Sequence, residues 1–321
     1  MTSGAVTQGR IAETGALIRP HVRCTPNVVA DGADFGLPPG PLVFKLEQLQ
    51  HSGSFKARGA FANLLLRDVP AAGVVAASGG NHGAALAYGA WRLGLPATIF
   101  LTERASDDRV ARVTTWGAQV VKHGAVWDEA HARAVEHAAA TGSTYVHPFD
   151  AERTLIGQGT LGLELLDDVP ALDCVLIAIG GGGLIAGMAA AIKQLRPQTR
   201  IIGVEPTGAA SMRYAVAAGQ VLPLPEVHTI ADTLAPRAVC ARTLALTQQY
   251  VDEIVTVSDA QMVSAMRWLW AECNQLVEPA GAAVIAALQN SAVDIGAHTH
   301  PVALICGGNA AVESAFANYT V

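Results

Sequence analysis

The chain has 321 residues, which allows two domains or one large α/β unit, and 51% apolar against 15% charged residues suits a folded core rather than a disordered chain. A net charge of −6 with no run of Lys or Arg excludes nucleic acid and anionic membrane as the main partner, and leaves a small molecule. The five cysteines, Cys24, Cys174, Cys240, Cys273 and Cys306, are odd in number and never at C-x-x-C spacing, which gives a disulfide framework or a structural zinc site poor support and makes reduced thiols in a cytoplasm the expectation.

The first 20 residues have no apolar core preceded by basic residues, so no signal peptide is expected. Residues 42–46 then read as a strand, and 55–67 as a helix stopped before Pro70. Residues 74–77 are a short β-branched strand, followed by a glycine-rich turn and a helix over 84–93. The alternation continues with a strand at 97–101, a helix at 109–116, a strand at 119–121 and a helix at 127–140. Residues 175–192 carry no charge over 18 positions, a length that raises the question of a membrane span. Four consecutive glycines, 180–183, interrupt it, and each costs about 1 kcal/mol in a helix interior relative to alanine. The stretch therefore reads as a buried strand (174–179), a turn and a helix (184–195). A strand at 201–204, a surface loop around Pro223 and Pro225, helices at 260–276 and 281–288 and a strand at 302–305 complete the chain. Repeated βα units imply a mostly parallel sheet covered on both faces. Two glycine-rich strand-to-helix turns, far apart in sequence, suggest two such sheets facing one cleft.

Four segments carry the chemistry. In Ser54-Phe55-Lys56, Ser54 is read as the N-cap of a helix opened by Phe55 and Lys56. A lysine there meets the positive end of the helix dipole, which lowers its pKa and favours the neutral, nucleophilic amine. On the segment alone, a solvated lysine at a helix start is the better reading. In the turn Ser78, Gly79, Gly80, Asn81, His82, consecutive backbone N–H groups can bind an anion and Asn81 can donate its amide; a plain turn is the competing reading. Gly180, Gly181, Gly182 and Gly183, followed by Leu184, open a helix whose N-terminus can hold a phosphate. That patch also loosely resembles a dinucleotide fingerprint, with Glu205 at a ribose-binding position, so NAD stays open at this point. Cys306, with Gly307, Gly308 and Asn309, follows the last strand, where side chains face the crevice of a parallel sheet; a buried apolar cysteine is the plainer reading.

Together these segments resemble the fold-type II pyridoxal 5′-phosphate (PLP) enzymes, the serine/threonine dehydratase and serine racemase group. The resemblance covers nearly the whole chain. Its residues include Thr25-Pro26, Lys45, Glu47, Gln50, Arg58, Gly83, Gly157, Thr160, Pro206, Ala231-Asp232, Glu278-Pro279 and Gly281. It implies a two-domain α/β fold like that of the tryptophan synthase β chain, dimeric and cytoplasmic. Residues 1–48 and 147–321 would form the large PLP-binding domain and 49–146 a small domain closing over the site. By resemblance Lys56 binds PLP as a Schiff base and shuttles the Cα proton, Phe55 packs on the ring and Asn81 bonds its hydroxyl. Gly180, Gly181, Gly182, Gly183 and Leu184 hold the phosphate, and Cys306 meets the pyridine nitrogen. Ser78, Gly79, Gly80, Asn81 and His82 receive the substrate carboxylate, with Glu278 on the substrate side.

The activity implied is dehydration and deamination of L-threonine and/or L-serine to a 2-oxo acid and ammonia. A neutral partner such as a thiol leaves the pyridine ring less electron-withdrawing, which suits prompt loss of a β-hydroxyl. Another β-hydroxy amino acid such as 3-hydroxyaspartate, β-replacement, or serine racemisation are alternatives within PLP chemistry. An NAD-dependent oxidoreductase is the alternative outside it. Two positions depart from the group. The racemases carry a serine where this chain has Gly79, which offers no proton. The divalent-cation members have a second acid six residues after the glutamate, where this chain has Ser211. Glu205, Ala209 and Ser211 would suit K⁺ better than Mg²⁺. The chain ends 12 residues after Asn309, so the regulatory domain of the biosynthetic threonine dehydratases is not expected.

Overall fold

The structure is a computed structural model and describes residues 6–35 and 39–310. The C-terminal stretch and the first five residues on which two expectations rest lie outside the described residues.

Among the described residues ten strands form two sheets. The larger contains β1 (Asn27–Asp31), β2 (Pro41–Leu46), β7 (Cys174–Ala178), β8 (Arg200–Pro206), β9 (Glu253–Val257) and β10 (Pro301–Ile305), in the order β1-β2-β10-β7-β8-β9. Among the described residues of this sheet, only the β1–β2 pair is antiparallel. The smaller sheet, all parallel, has the order β5-β4-β3-β6, with β3 (Val74–Ala77), β4 (Ala97–Leu101), β5 (Gln119–Lys122) and β6 (Thr144–Tyr145). The central strands β7 and β10 are buried at every position, which is why they read as unbroken apolar runs rather than alternating ones.

Among the described residues eleven α-helices cover the sheets: α1 (Gln8–Ile18), α2 (Lys56–Leu65), α3 (Asn81–Arg92), α4 (Asp107–Thr114), α5 (Trp127–Thr141), α6 (Glu152–Asp168), α7 (Gly183–Leu195), α8 (Ser211–Ala218), α9 (Ala241–Tyr250), α10 (Asp259–Cys273) and α11 (Pro279–Gln289). α11 begins with proline at its first position and is buried from Ala280 to Leu288, so it forms part of the core of the larger sheet. The uncharged stretch is β7, a turn and α7, and no helix among the described residues is long and apolar enough to cross a membrane.

The motif residues around Lys45 and Arg58 form a buried ionic network. Arg58 reaches Glu47 (2.8 Å) and Glu164 (2.8 Å), and Lys45 reaches Glu164 and Asp168 (2.7 Å each). This ties β2 and α2 to α6, and removing one partner of such a network costs roughly 3–5 kcal/mol.

Candidate active site

Lys56 opens α2 after a loop laid against the end of β10. Phe55 N donates to Cys306 O (3.2 Å), Gly308 N donates to Gly53 O (2.9 Å), and Ser54 bridges Gly307 in antiparallel fashion. The lysine is thereby brought beside Cys306 although 250 residues separate them. Its Nζ donates to Pro148 O (2.7 Å) and lies 5.2 Å from the centre of the Phe55 ring. Desolvation pushes its pKa down to about 8, against the opposing pull of Cys306 and Glu278. The cause is burial more than the helix dipole. The expected cap is corrected: Phe55, not Ser54, is the N-cap, and the buried Ser54 Oγ has no hydrogen-bond partner.

The glycine turn follows β7 and leads into α7, whose first N–H groups have no intrahelical acceptor. Gly182 has φ +83°, a conformation that favours glycine. A Cβ on Gly181 would sit 2.3 Å from the Phe149 ring. The turn is thus a walled, backbone-only surface, fit for an anion. Leu184 is buried behind it.

On the opposite side, Asn81 Nδ2 donates to Glu278 Oε1 (2.5 Å), and Asn309 Nδ2 donates to Asn81 Oδ1 (2.6 Å) and Ser52 O (2.7 Å). Arg112 donates to Asn309 O (2.9 Å). Burial pushes Glu278 up to about 7, and the Asn81 bond pulls it back in part. A cavity of 880 Å³ opens here. Gly79, Gly80, Asn81 and Glu278 line one end, and Val263, Met266, Trp270 and Leu276 form an apolar wall on and beside α10.

Other expected residues fall as follows. Ser78 Oγ accepts from Gly80 N (3.3 Å), which shapes the turn. His82 does not face the cavity; it is buried in the first turn of α3, which starts three residues before the predicted position, and its Nε2 contacts Val146 O (2.9 Å). Cys306 is buried with Sγ donating to Ala280 O (3.5 Å), and burial raises its pKa, so it is a neutral thiol. Both Glu205 oxygens accept from the first turn of α8, from Met212 N and Arg213 N (2.8 Å each). That removes the residue on which the dinucleotide alternative relied. Burial pushes Glu205 up to about 7. Ala209 and Ser211 are buried close by in sequence, and Ser211 Oγ has no hydrogen-bond partner. Among the described residues no group of three or more His, Cys, Asp or Glu is arranged to hold a metal.

The sequence reading missed Pro148 and Phe149, which lie between elements and carry no motif. It quoted Asn309 but gave it no role. Nothing local to these residues signals that they meet Lys56, the glycine turn or Asn81.

Comparison with known proteins agrees with this geometry. The family model described as pyridoxal-phosphate dependent enzyme matches residues 18–307. An L-threonine ammonia-lyase of Geobacter sulfurreducens is 40% identical over 277 residues, 85% of this chain and 68% of that protein. A phenylserine dehydratase of Ralstonia pickettii is 42% identical over 305 residues, 93% of this chain and 92% of that protein. The structure of maize serine racemase superposes with a TM-score of 0.90 at 32% identity, covering 98% and 97% of the two chains. The residues present fit the cofactor: a lysine of lowered pKa, a glycine turn at a helix N-terminus that a Cβ at Gly181 or Gly182 would crowd, a neutral thiol and an amide donor. The chain belongs to the pyridoxal-phosphate dependent enzymes, with the α/β, fold-type II architecture of its structural neighbours.

Proposed function

We propose that this chain is a PLP-dependent ammonia-lyase that converts L-threonine and/or L-serine to a 2-oxo acid and ammonia. The observation that carries it is the Lys56 amine, desolvated to a pKa of about 8 between the glycine turn and the Asn81–Glu278 pair. PLP, when bound, supplies the electron sink that makes the Cα proton removable. Lys56 Nζ would take that proton as the general base. The Ser78–Gly80 backbone and Asn81 would hold the substrate carboxylate, and the neutral Cys306 thiol would leave the ring nitrogen without an anionic partner to keep it protonated. The β-hydroxyl departs with a proton as water, and hydrolysis of the freed enamine returns that water and releases ammonia. Gly79 has no proton to deliver to the opposite face, which supports elimination over racemisation.

A second reading is favoured by the apolar wall of Val263, Met266, Trp270 and Leu276. A methyl or hydrogen at Cβ leaves that wall bare, whereas a β-aryl group would cover it, as in the substrate for which the Ralstonia relative is named. A panel of L-serine, L-threonine and 3-phenylserine, assayed for 2-oxo acid, separates the two readings by their kcat/KM.

Three finer points belong to the same proposal. The unpartnered Ser211 Oγ beside Glu205 supports a monovalent cation such as K⁺. Five free cysteines support a cytoplasmic location, and the family resemblance supports a homodimer, which sedimentation tests. Residues 49–146, which contain the smaller sheet, would move as the domain that closes the cleft.

A further inference from the structure

Residues 146–150 run from the smaller sheet to α6 and touch both halves of the cofactor site. Pro148 O accepts from Lys56 Nζ (2.7 Å), and the next side chain, Phe149, fills the space under Gly181 and Gly183. Two histidines hold this stretch, His82 buried and His147 half-buried, and neither lines the cavity. His82 Nε2 lies 2.9 Å from Val146 O. A carbonyl only accepts, so His82 carries its proton on Nε2. His147 Nδ1 takes backbone N–H bonds from Phe149 (3.3 Å) and Asp150 (2.8 Å), so that nitrogen is bare. The His147 ring also stands edge-on to Phe149, with centroids 4.7 Å apart. Leucine would fill either space. What the imidazoles add is one donor and one acceptor, aimed at the backbone on either side of Pro148.

We propose that His82 and His147 are positioning residues: they fix residues 146–149 and thereby set where the Lys56 amine stands relative to the glycine turn. This rests on the reading of Lys56 as the cofactor lysine. Burial keeps both rings neutral, with pKa values near 3 for His82 and 4 for His147, so their bonds persist across the working range. The ionisable groups facing the lysine are Cys306 at the end of β10, Glu278 before α11, His82 on α3 and His147 itself.

The test uses the full chain, purified with its cofactor and then resolved from it. PLP is added back over a pH series, and the absorbance of the lysine-bound chromophore is followed. Loosening 146–149 admits water to the amine, so its pKa climbs toward that of an ordinary lysine. His82→Leu and His147→Leu should move the midpoint for capture upward by about half a pH unit or more. Cofactor should leave these variants about tenfold faster on dilution, since small displacements at such sites are costly. His82→Gln keeps the donor and His147→Asn keeps the acceptor, and both should retain the wild-type midpoint. Should a leucine variant fail to fold, His147→Gln replaces it, with its acceptor one methylene further out and a partial shift expected. Unmoved midpoints in the leucine or His147→Gln variants, or equal shifts in the Asn and Gln pair, overturn the positioning role while leaving Lys56 in place. A wild-type chain that captures no PLP at any pH overturns both readings.

Discussion

Asn81 Nδ2 donates to Glu278 Oε1 at 2.5 Å, joining the first residue of α3 to the residue that caps α11. The bond spans 197 positions of sequence and sits where the smaller sheet's turn meets the larger sheet's helix. The carboxyl is buried, and burial raises its pKa from an ordinary 4.5 to about 7. Between these values the folded protein holds a proton that the unfolded chain releases. Stability therefore falls as pH rises through that window, and the penalty is complete above 7. Glu278→Gln, which still accepts from Asn81, should melt higher than wild type at pH 8, by up to roughly 3 kcal/mol. The margin should vanish by about pH 3.5, one unit below the ordinary value, where the carboxyl is protonated in both states. Thermal melts at the two pH values check it, and equal melting temperatures at pH 8 would refute it. If the cavity that Glu278 lines takes the substrate, as proposed, the same variant should also lose activity.

Gly79→Ser tests the proposal that the missing hydroxyl at this position favours elimination over racemisation. A Cβ there would meet Arg109 Cδ and Leu101 Cδ2 at 3.5 Å, an ordinary contact, so the variant should fold. Its hydroxyl would offer a proton on the side opposite Lys56. Chiral chromatography should show D-isomer formation rising about 10-fold or more, within the range expected for a placed acid or base. No rise in a folded variant would mean that Gly79 does not face the substrate.

The glycine turn predicts a more local failure. Gly181→Ala places a methyl group 2.3 Å from the Phe149 ring, so the turn or the ring must shift. The strain should destabilise the protein by about 1–3 kcal/mol. Cofactor retention on dialysis should fall by about tenfold or more, since the anion surface is displaced.

Glu205 and Ser211 predict the ion dependence. If a monovalent cation satisfies Ser211 Oγ, activity should rise in K⁺ or NH₄⁺ relative to Na⁺ and be unaffected by EDTA. Glu205→Ala should remove that dependence. It should also destabilise α8 by about 1 kcal/mol, because it deletes the cap on Met212 N and Arg213 N. Equal rates in K⁺ and Na⁺, with stimulation by Mg²⁺, would refute the monovalent reading.

The legible parts of the fold were the apolar, glycine-punctuated ones. β3 and β4 were read at their observed bounds, and β7 and α7 within a residue, because unbroken apolar strands and a glycine turn have no competing local explanation. Missed were α1, β1, β6, α6, α8, α9 and β9. β6 has two residues and leaves no period to detect, and α6 carries three glycines in its interior, which lowers its helix propensity. At the site, Lys56 and the glycine turn were legible because each occupies a motif at the end of a regular element. His82 was legible as part of a motif, but the contact of its ring was not, since that depends on Val146 across the smaller sheet. Pro148, Phe149 and the use of Glu205 as a helix cap were illegible, because they depend on contacts that only the tertiary fold creates.

The central claim is that Lys56 carries the cofactor and supports elimination from a β-hydroxy amino acid. The measurement is 2-oxo acid and ammonia formed from L-serine, L-threonine and 3-phenylserine by wild type and by Lys56→Ala. Peptide mapping of the borohydride-reduced wild type accompanies it. The account predicts equal amounts of both products from at least one substrate, cofactor mass on the Lys56 peptide, and no turnover by Lys56→Ala. It is contradicted by undiminished turnover in Lys56→Ala, by cofactor fixed to another lysine, or by D-isomer forming faster than 2-oxo acid.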